Sequence, residues 1–283
     1  IDLFIGQEGT LGIITQAQLH LLPFVDAAFS GIAFFSSKND SWRFARHVRE
    51  LSKMARSAKS NDAVNALTVE YFDKPSLQLL KTAHPDIPDF ADAAIYFEQD
   101  VLEEHLDHVI LLWQSLFNQH NASLDNVWFA QSAKTREELR EFRHNLPEKI
   151  NEIVARNGLP KVGTDLAVPE THFKEMMGVY DSVLSATKIP YMVFGHIGEC
   201  HMHANILPSS NEEYIIARNA YMEIVKRALS FGGTVSAEHG IGKTKHIFLE
   251  QMLGKHGIAE LARVKSALDP AWILNPGNMF NKP

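Results

Sequence analysis

A chain of 283 residues that is 45% hydrophobic and 22% charged carries enough apolar side chains for one large core or two smaller ones. Its formal net charge of -7 excludes a general nucleic-acid binder, which needs a basic stripe. No apolar run reaches the ~18 residues of a membrane span, and Cys200, the one cysteine, excludes an internal disulfide and a four-cysteine cluster, so a reducing, cytoplasmic setting is expected.

The first residues, "IDLFIGQEGTLGIIT", read as the end of a preceding unit. Residues 11–22, "LGIITQAQLHLL", alternate in part and are rich in Ile and Leu, which predicts a strand closed by a boundary at Pro23. Strand-like runs then alternate with helix-like ones: "FSGIAFF" and 39–57, "VNALTVEYF" and 74–83, "AAIYFEQ" and 101–120, "VWFAQ" and 133–157. After these come "TDLAVP", a helix over about 170–186, a strand pair around residue 199, a helix over about 211–230, the Gly-rich "GTVSAEHG" and a helix over about 256–268. The order predicts an α+β fold with a largely antiparallel sheet covered by helices on one side. The closing "LDPAWILNPGNMF" places turn signals around an apolar patch and predicts a packed, non-helical terminus.

The stretch "VFGHIGECHMHANILP" puts three histidines within eight positions. Taken as a symmetric hairpin turning between Glu199 and Cys200, it pairs His196 with His203 and Phe194 with Asn205. Side chains alternate faces along a strand. His196, His201, His203 and Asn205 then share one face, while Met202, Ala204 and Ile206 turn to the core. Opposed Cβ atoms ~4.5 to 5.5 Å apart let two imidazoles share a divalent metal. Cys200 falls at the tip, off that face. In "GGTVSAEHGIGKTK", Glu238 and His239 sit between glycines on a backbone free to approach a ligand. A carboxylate is a reasonable third ligand, and its neighbouring imidazole a reasonable base, because histidine titrates near neutrality.

Four motifs in order, "GQEGTLGIITQAQLHLLP", "GHIGECHMH", "TVSAEHGIG" and "DPAWILNPGNMF", resemble the FAD-linked 2-hydroxyacid dehydrogenases of the vanillyl-alcohol-oxidase-type superfamily. That group includes D-lactate dehydrogenases, the glycolate oxidase flavoprotein subunit and D-2-hydroxyglutarate dehydrogenase. The resemblance implies a C-terminal substrate-binding domain with ferredoxin-like elements. Residues 1–22 would be the closing end of a flavin domain, 23–268 the substrate-binding cap, and 269–283 a segment returning to the flavin domain. It further implies metal ligands His196, His203 and Glu238 for zinc or manganese, with His239 as catalytic base. Substrate contacts would come from Asn205, Arg143 in "EFRHNLPEKI" and Lys161 in "KVGTDLAVP", and flavin contacts from Glu8, Gly9, Thr10 and Asn275. The implied partners are a small 2-hydroxy acid and a quinone, cytochrome or electron-transfer protein as acceptor, with no nucleic acid. A homodimer and a peripheral position at the inner membrane are compatible with it.

The usual family pattern is H-I-G-D-G-N-L-H. Here Glu199 replaces the aspartate, Cys200 the second glycine, His201 the asparagine and Met202 the leucine. His201 is therefore expected at the substrate or in the metal shell, and Cys200 puts the tight turn in question. A metal-dependent hydrolase would use the same two histidines and carboxylate, but leaves the flavin-contact motifs without a role. A binding domain that has lost catalysis would have no need of Glu238 and His239.

Overall fold

A computed structural model describes residues 1–21, 25, 27–130 and 132–282; the boundary expected at Pro23 and the last residue of "VWFAQ" lie outside them. The run "AAFSGIAFF" forms β1 (Ala27–Phe35). Its odd positions Phe29, Ala33 and Phe35 enter one core and its even positions Ile32 and Phe34 another, as the two-residue period of a strand dictates. The other strands are β2 (Thr68–Asp73), β3 (Ala93–Val101), β4 (Val127–Phe129), β5 (Val162–Gly163), β6 (Leu166–Ala167), β7 (Tyr191–Gly195) and β8 (His201–Ile206). They run in the order β4-β1-β3-β2-β7-β8-β5, with β6 also on β8, and every pairing among the described residues is antiparallel.

The helices are α1 (Lys38–Ala58), α2 (Lys74–Leu80), α3 (Leu106–Gln119), α4 (Ala133–Asn157), α5 (Phe173–Thr187), α6 (Asn211–Ser230) and α7 (His246–Leu268). Phe44 of α1, Trp113 of α3, Tyr180 of α5 and Ile224 of α6 pack with Phe35 and Phe97 on one face. Leu77 of α2 and Phe142 of α4 pack with Phe34, Phe72 and Tyr96 on the other. The expectation of helices on one side is thus corrected. The central strands are apolar on both faces, and β3 is buried from Ala93 through Gln99, so each face needs a cover.

Two further corrections concern local structure. Residues 11–21 form no strand, and Ile13, Ile14, Leu19 and Leu21 are exposed. Alternation makes a strand only where the backbone groups find a partner edge, and none of the described strands pairs with this segment. The helix expected over 256–268 forms as the second of two helical pieces of α7, and the piece before the non-helical Gly254, which begins at His246, is not foreseen by the sequence. The closing residues pack as expected, with Trp272 and Phe280 against Ala262.

Asp73 links β2, α2 and β7. Its carboxylate caps α2 by accepting from the Ser76 amide and hydroxyl, and it accepts from the Val193 amide at 2.8 Å. Burial nevertheless pushes its pKa up to about 7. The native state therefore keeps a proton that the unfolded chain releases near 3.8, so Asp73 lowers stability progressively as pH rises between those values. Asp73→Asn is expected to flatten this pH dependence in urea titrations. It also turns one accepting oxygen into a donor facing donors, which lowers stability by about 1 to 3 kcal/mol.

Candidate active site

The histidine hairpin forms, with a register two residues from the expected one. Phe194, rather than His196, lies opposite His203, and Met192 opposite Asn205. A shift of two residues keeps every side chain on its expected face. The turn is a short helical one over Ile197–Glu199, closed by the His201 amide on the His196 carbonyl at 3.2 Å. Gly195 makes it possible: at φ +141°, a Cβ there would meet the His201 carbonyl at 3.0 Å and His203 Cδ2 at 3.1 Å. Cys200 keeps the turn by adopting the left-handed conformation (φ 53°) that a glycine would take without strain. It is buried, and burial raises its pKa. Arg49, buried on α1, donates to the Ile197 carbonyl at 3.2 Å and the Cys200 Sγ at 3.0 Å while pairing with Glu170 at 2.9 Å. Arg49→Ala is expected to lower stability by roughly 1.5 to 3 kcal/mol, the scale of a charged hydrogen bond, read by chemical denaturation.

Each histidine is held by one ring nitrogen and turns the other to Glu238. His196 places Nδ1 2.8 Å from Glu70 Oε1 and Nε2 3.2 Å from Glu238 Oε2. His203 places Nδ1 3.3 Å from the Thr164 carbonyl and Nε2 3.7 Å from Glu238 Oε1. His201 places Nε2 2.9 Å from Asp165 Oδ1 and Nδ1 3.9 Å from Glu238 Oε2. One candidate ligand atom from each of His196, His201, His203 and Glu238 lies within 4.8 Å of the others. Tetrahedral ligands at ~2.0 to 2.1 Å from zinc sit roughly 3.3 Å apart. Three imidazole lone pairs and a carboxylate at this spacing are a donor set that fits a divalent metal. Burial drops His203 to about 4, so it is neutral over the physiological range. The hydrogen bond to Glu70 raises His196. Burial opposes ionisation of Glu238, but the surrounding histidines lower its pKa.

Two residues that sequence reasoning missed organise this ring. Glu70 on β2 is buried and takes both His196 and Arg143, the latter at 2.8 Å. Asp165, between β5 and β6 and 1% exposed, accepts five donors: His201 Nε2, Ser236 Oγ, the Glu238 and His239 amides, and Lys245 Nζ. Burial opposes its ionisation, yet the bonds from His201, Ser236 and His239 hold its pKa well below the carboxylate range. An acid inside the apolar run "TDLAVP" was the available signal, because a buried carboxylate needs partners. Asp165, His203 and His239 also cluster, but the oxygens of Asp165 are already engaged.

The ring opens on a cavity of about 610 Å³ lined by Arg143, Lys161, Asn205 and His239, among others. His239 is exposed, and its ring stacks on His203 with centroids 4.9 Å apart and 7° between planes. Its Nε2 lies 3.2 Å from Glu238 Oε1. The side chains of Lys161 and Asn205 have no hydrogen-bond or ion-pair partner among the described residues. Desolvation lowers the pKa of Lys161, although its side chain is partly in solvent. Arg143, by contrast, is committed to Glu70.

The residues expected at the flavin gather beside His239. The Glu8 carboxylate accepts from the Ile241 and Gly242 amides at 2.6 and 2.9 Å, and from Asn278 at 2.7 Å. A Cβ at Gly240 would fall 2.8 Å from that carboxylate, and the backbone there has φ +78°, so glycine is required. Asn275 donates to the Glu8 carbonyl at 2.6 Å and lies against Gly9. Thr10 is buried and donates to the Gln7 carbonyl, while its own carbonyl accepts from buried Lys265 at 2.7 Å. The side chains of Glu8 and Asn275 thus hold segments of this chain together.

The sequence pattern of the family described as "FAD linked oxidases, C-terminal domain" matches residues 41–279. The chain belongs to this family. Among curated proteins it is 29% identical to the glycolate oxidase subunit GlcD of Bacillus subtilis, over 99% of this chain and 57% of that protein. It is 27% identical to the mitochondrial D-lactate dehydrogenase [cytochrome] of Arabidopsis thaliana, over 98% of this chain and 47% of that protein. It is also 25% identical to the D-2-hydroxyglutarate dehydrogenase of Stutzerimonas stutzeri, over 99% and 58%. The chain therefore spans about half the length of these relatives. The solved 4-ethylphenol oxidase from Gulosibacter chungangensis superposes with a TM-score of 0.65 at 15% identity, covering 94% of this chain and 56% of that one. This likeness supports the fold. No helix among the described residues is long and apolar enough to cross a membrane.

Proposed function

We propose that this chain is the substrate-binding part of a flavoprotein that oxidises a D-2-hydroxy acid, of the lactate, glycolate or 2-hydroxyglutarate kind, to the 2-oxo acid. The observation that carries the reading is the convergence of three oriented histidines and Glu238 on a cavity that also presents Lys161 and the exposed His239. In this reading residues 1–22 close a flavin domain, 23–268 form the cap and 269–283 return to the flavin. Glu8, Gly9, Thr10 and Asn275 would present an edge to FAD through their backbone rather than through carboxylate contacts. When bound, zinc or manganese held by His196, His203 and Glu238 would stabilise an alkoxide as a Lewis acid, and FAD would accept a hydride.

The chain's own residues do the rest. Lys161 is the primary anchor for the substrate carboxylate, because its ammonium has no partner among the described residues. Arg143 adds a second positive group while keeping its bond to Glu70. The Asn205 amide orients the substrate at the cavity floor. His239 takes the hydroxyl proton on Nδ1, the nitrogen left with a lone pair when Nε2 donates to the Glu238 carboxylate 3.2 Å away. The cage of amides around Asp165 fixes the loop that carries it. A metal-dependent hydrolase would use the same donors, but family membership and the curated relatives give it no support.

The test is anaerobic addition of D-lactate, glycolate and D-2-hydroxyglutarate to the flavin-loaded protein. Bleaching of the oxidised flavin by at least one of them is expected. Retained flavin absorbance with all three would contradict the proposal.

A further inference from the structure

We propose that His201 is a fourth protein ligand of the metal site and that Asp165 is the positioning residue that presents it. This rests on the metal reading above and extends it from two histidines to three. Three observations lead there. The His201 ring is buried, at 5% exposure, so a nitrogen without a partner inside it is unfavourable. Its Nε2 lies 2.9 Å from Asp165 Oδ1. An ionised carboxylate has no proton to donate, so Nε2 carries the hydrogen and the lone pair of neutral His201 stands on Nδ1. That Nδ1 lies 3.9 Å from Glu238 Oε2. This is too long for a hydrogen bond, and close to the separation of two atoms that ligate one metal.

The same Asp165 carboxylate also holds the backbone amides of Glu238 and His239, at 3.2 and 3.0 Å. One buried residue therefore sets His201 on the hairpin and Glu238 on the loop relative to each other. A carboxylate behind a ligating imidazole fixes both its tautomer and its direction. Three imidazoles and one carboxylate complete a four-coordinate shell, so a substrate oxygen would join as a fifth ligand, which zinc accommodates. Arg143, Glu70 and Lys245 hold the neighbouring groups and do not compete for Nδ1.

The experiment is zinc titration by calorimetry of wild type, His203→Ala, His201→Asn and Asp165→Asn. It is paired with nitrogen NMR of isotope-labelled histidine in the wild type, and each variant is checked for folding by circular dichroism. Without metal, the wild-type spectrum is expected to show His201 as the Nε2–H tautomer, and zinc is expected to shift its Nδ1 resonance. His201→Asn should weaken zinc at least tenfold, and Asp165→Asn by about 10- to 100-fold. No flip of the asparagine can accept on both sides as the carboxylate does. An unmoved Nδ1 resonance, with zinc affinity in His201→Asn equal to wild type while His203→Ala loses it, overturns this inference and leaves the two-histidine site standing. Unchanged affinity in His203→Ala as well overturns both.

Discussion

Wild-type protein is expected to retain stoichiometric zinc or manganese through gel filtration and His203→Ala protein to lose it, and with it the proposed oxidation of a 2-hydroxy acid. The imidazole is buried, neutral over the physiological range and oriented by the Thr164 carbonyl, so its Nε2 is a standing lone pair aimed at Glu238. Removing it takes away one of the four imidazoles against Glu238 and opens a gap beneath His239, which stacks on it. Lewis-acid stabilisation supplies several kcal/mol to a developing alkoxide, so turnover should fall on the order of 10³-fold or more. Elemental analysis alongside turnover checks both halves. Full activity in a metal-free variant would contradict the assignment.

His239→Asn should separate base from metal. The side chain is exposed and touches two of the ligands, Glu238 through Nε2 at 3.2 Å and His203 by stacking; asparagine keeps a donor for Glu238, so metal content and stability should stay close to wild-type levels. General-base assistance contributes typically ~10² to 10⁴ in rate, and kcat is expected to fall by that range with little change in KM. A kcat within about threefold of wild type would exclude His239 as the base.

Much of the architecture is legible in the sequence because its strands and helices obey strong periods. β1, β3, α1, α4 and α6 form where alternation and amphipathic spacing place them. The segment 11–21 misleads because alternation says nothing about whether a partner edge exists. α7 misleads because Gly254 hides two helical pieces under one interruption. At the site, strand alternation was enough to put His196, His201, His203 and Asn205 on one face. The register was off by two because the turn includes a Cys in a left-handed conformation, a residue type for which local rules give no preference. Glu70 and Asp165 were invisible to spacing arguments: they sit 126 and 36 residues from the histidines they orient, and only the sheet brings them together. Arg143 was legible as a cavity cation, but its commitment to Glu70 was not.

The most direct test of the central claim is anomalous diffraction at the zinc edge from crystals of the protein grown with zinc. The account predicts a single strong peak within about 2.0 to 2.2 Å of His196 Nε2, His203 Nε2 and a Glu238 oxygen. No peak at that position in crystals that hold zinc elsewhere would contradict it.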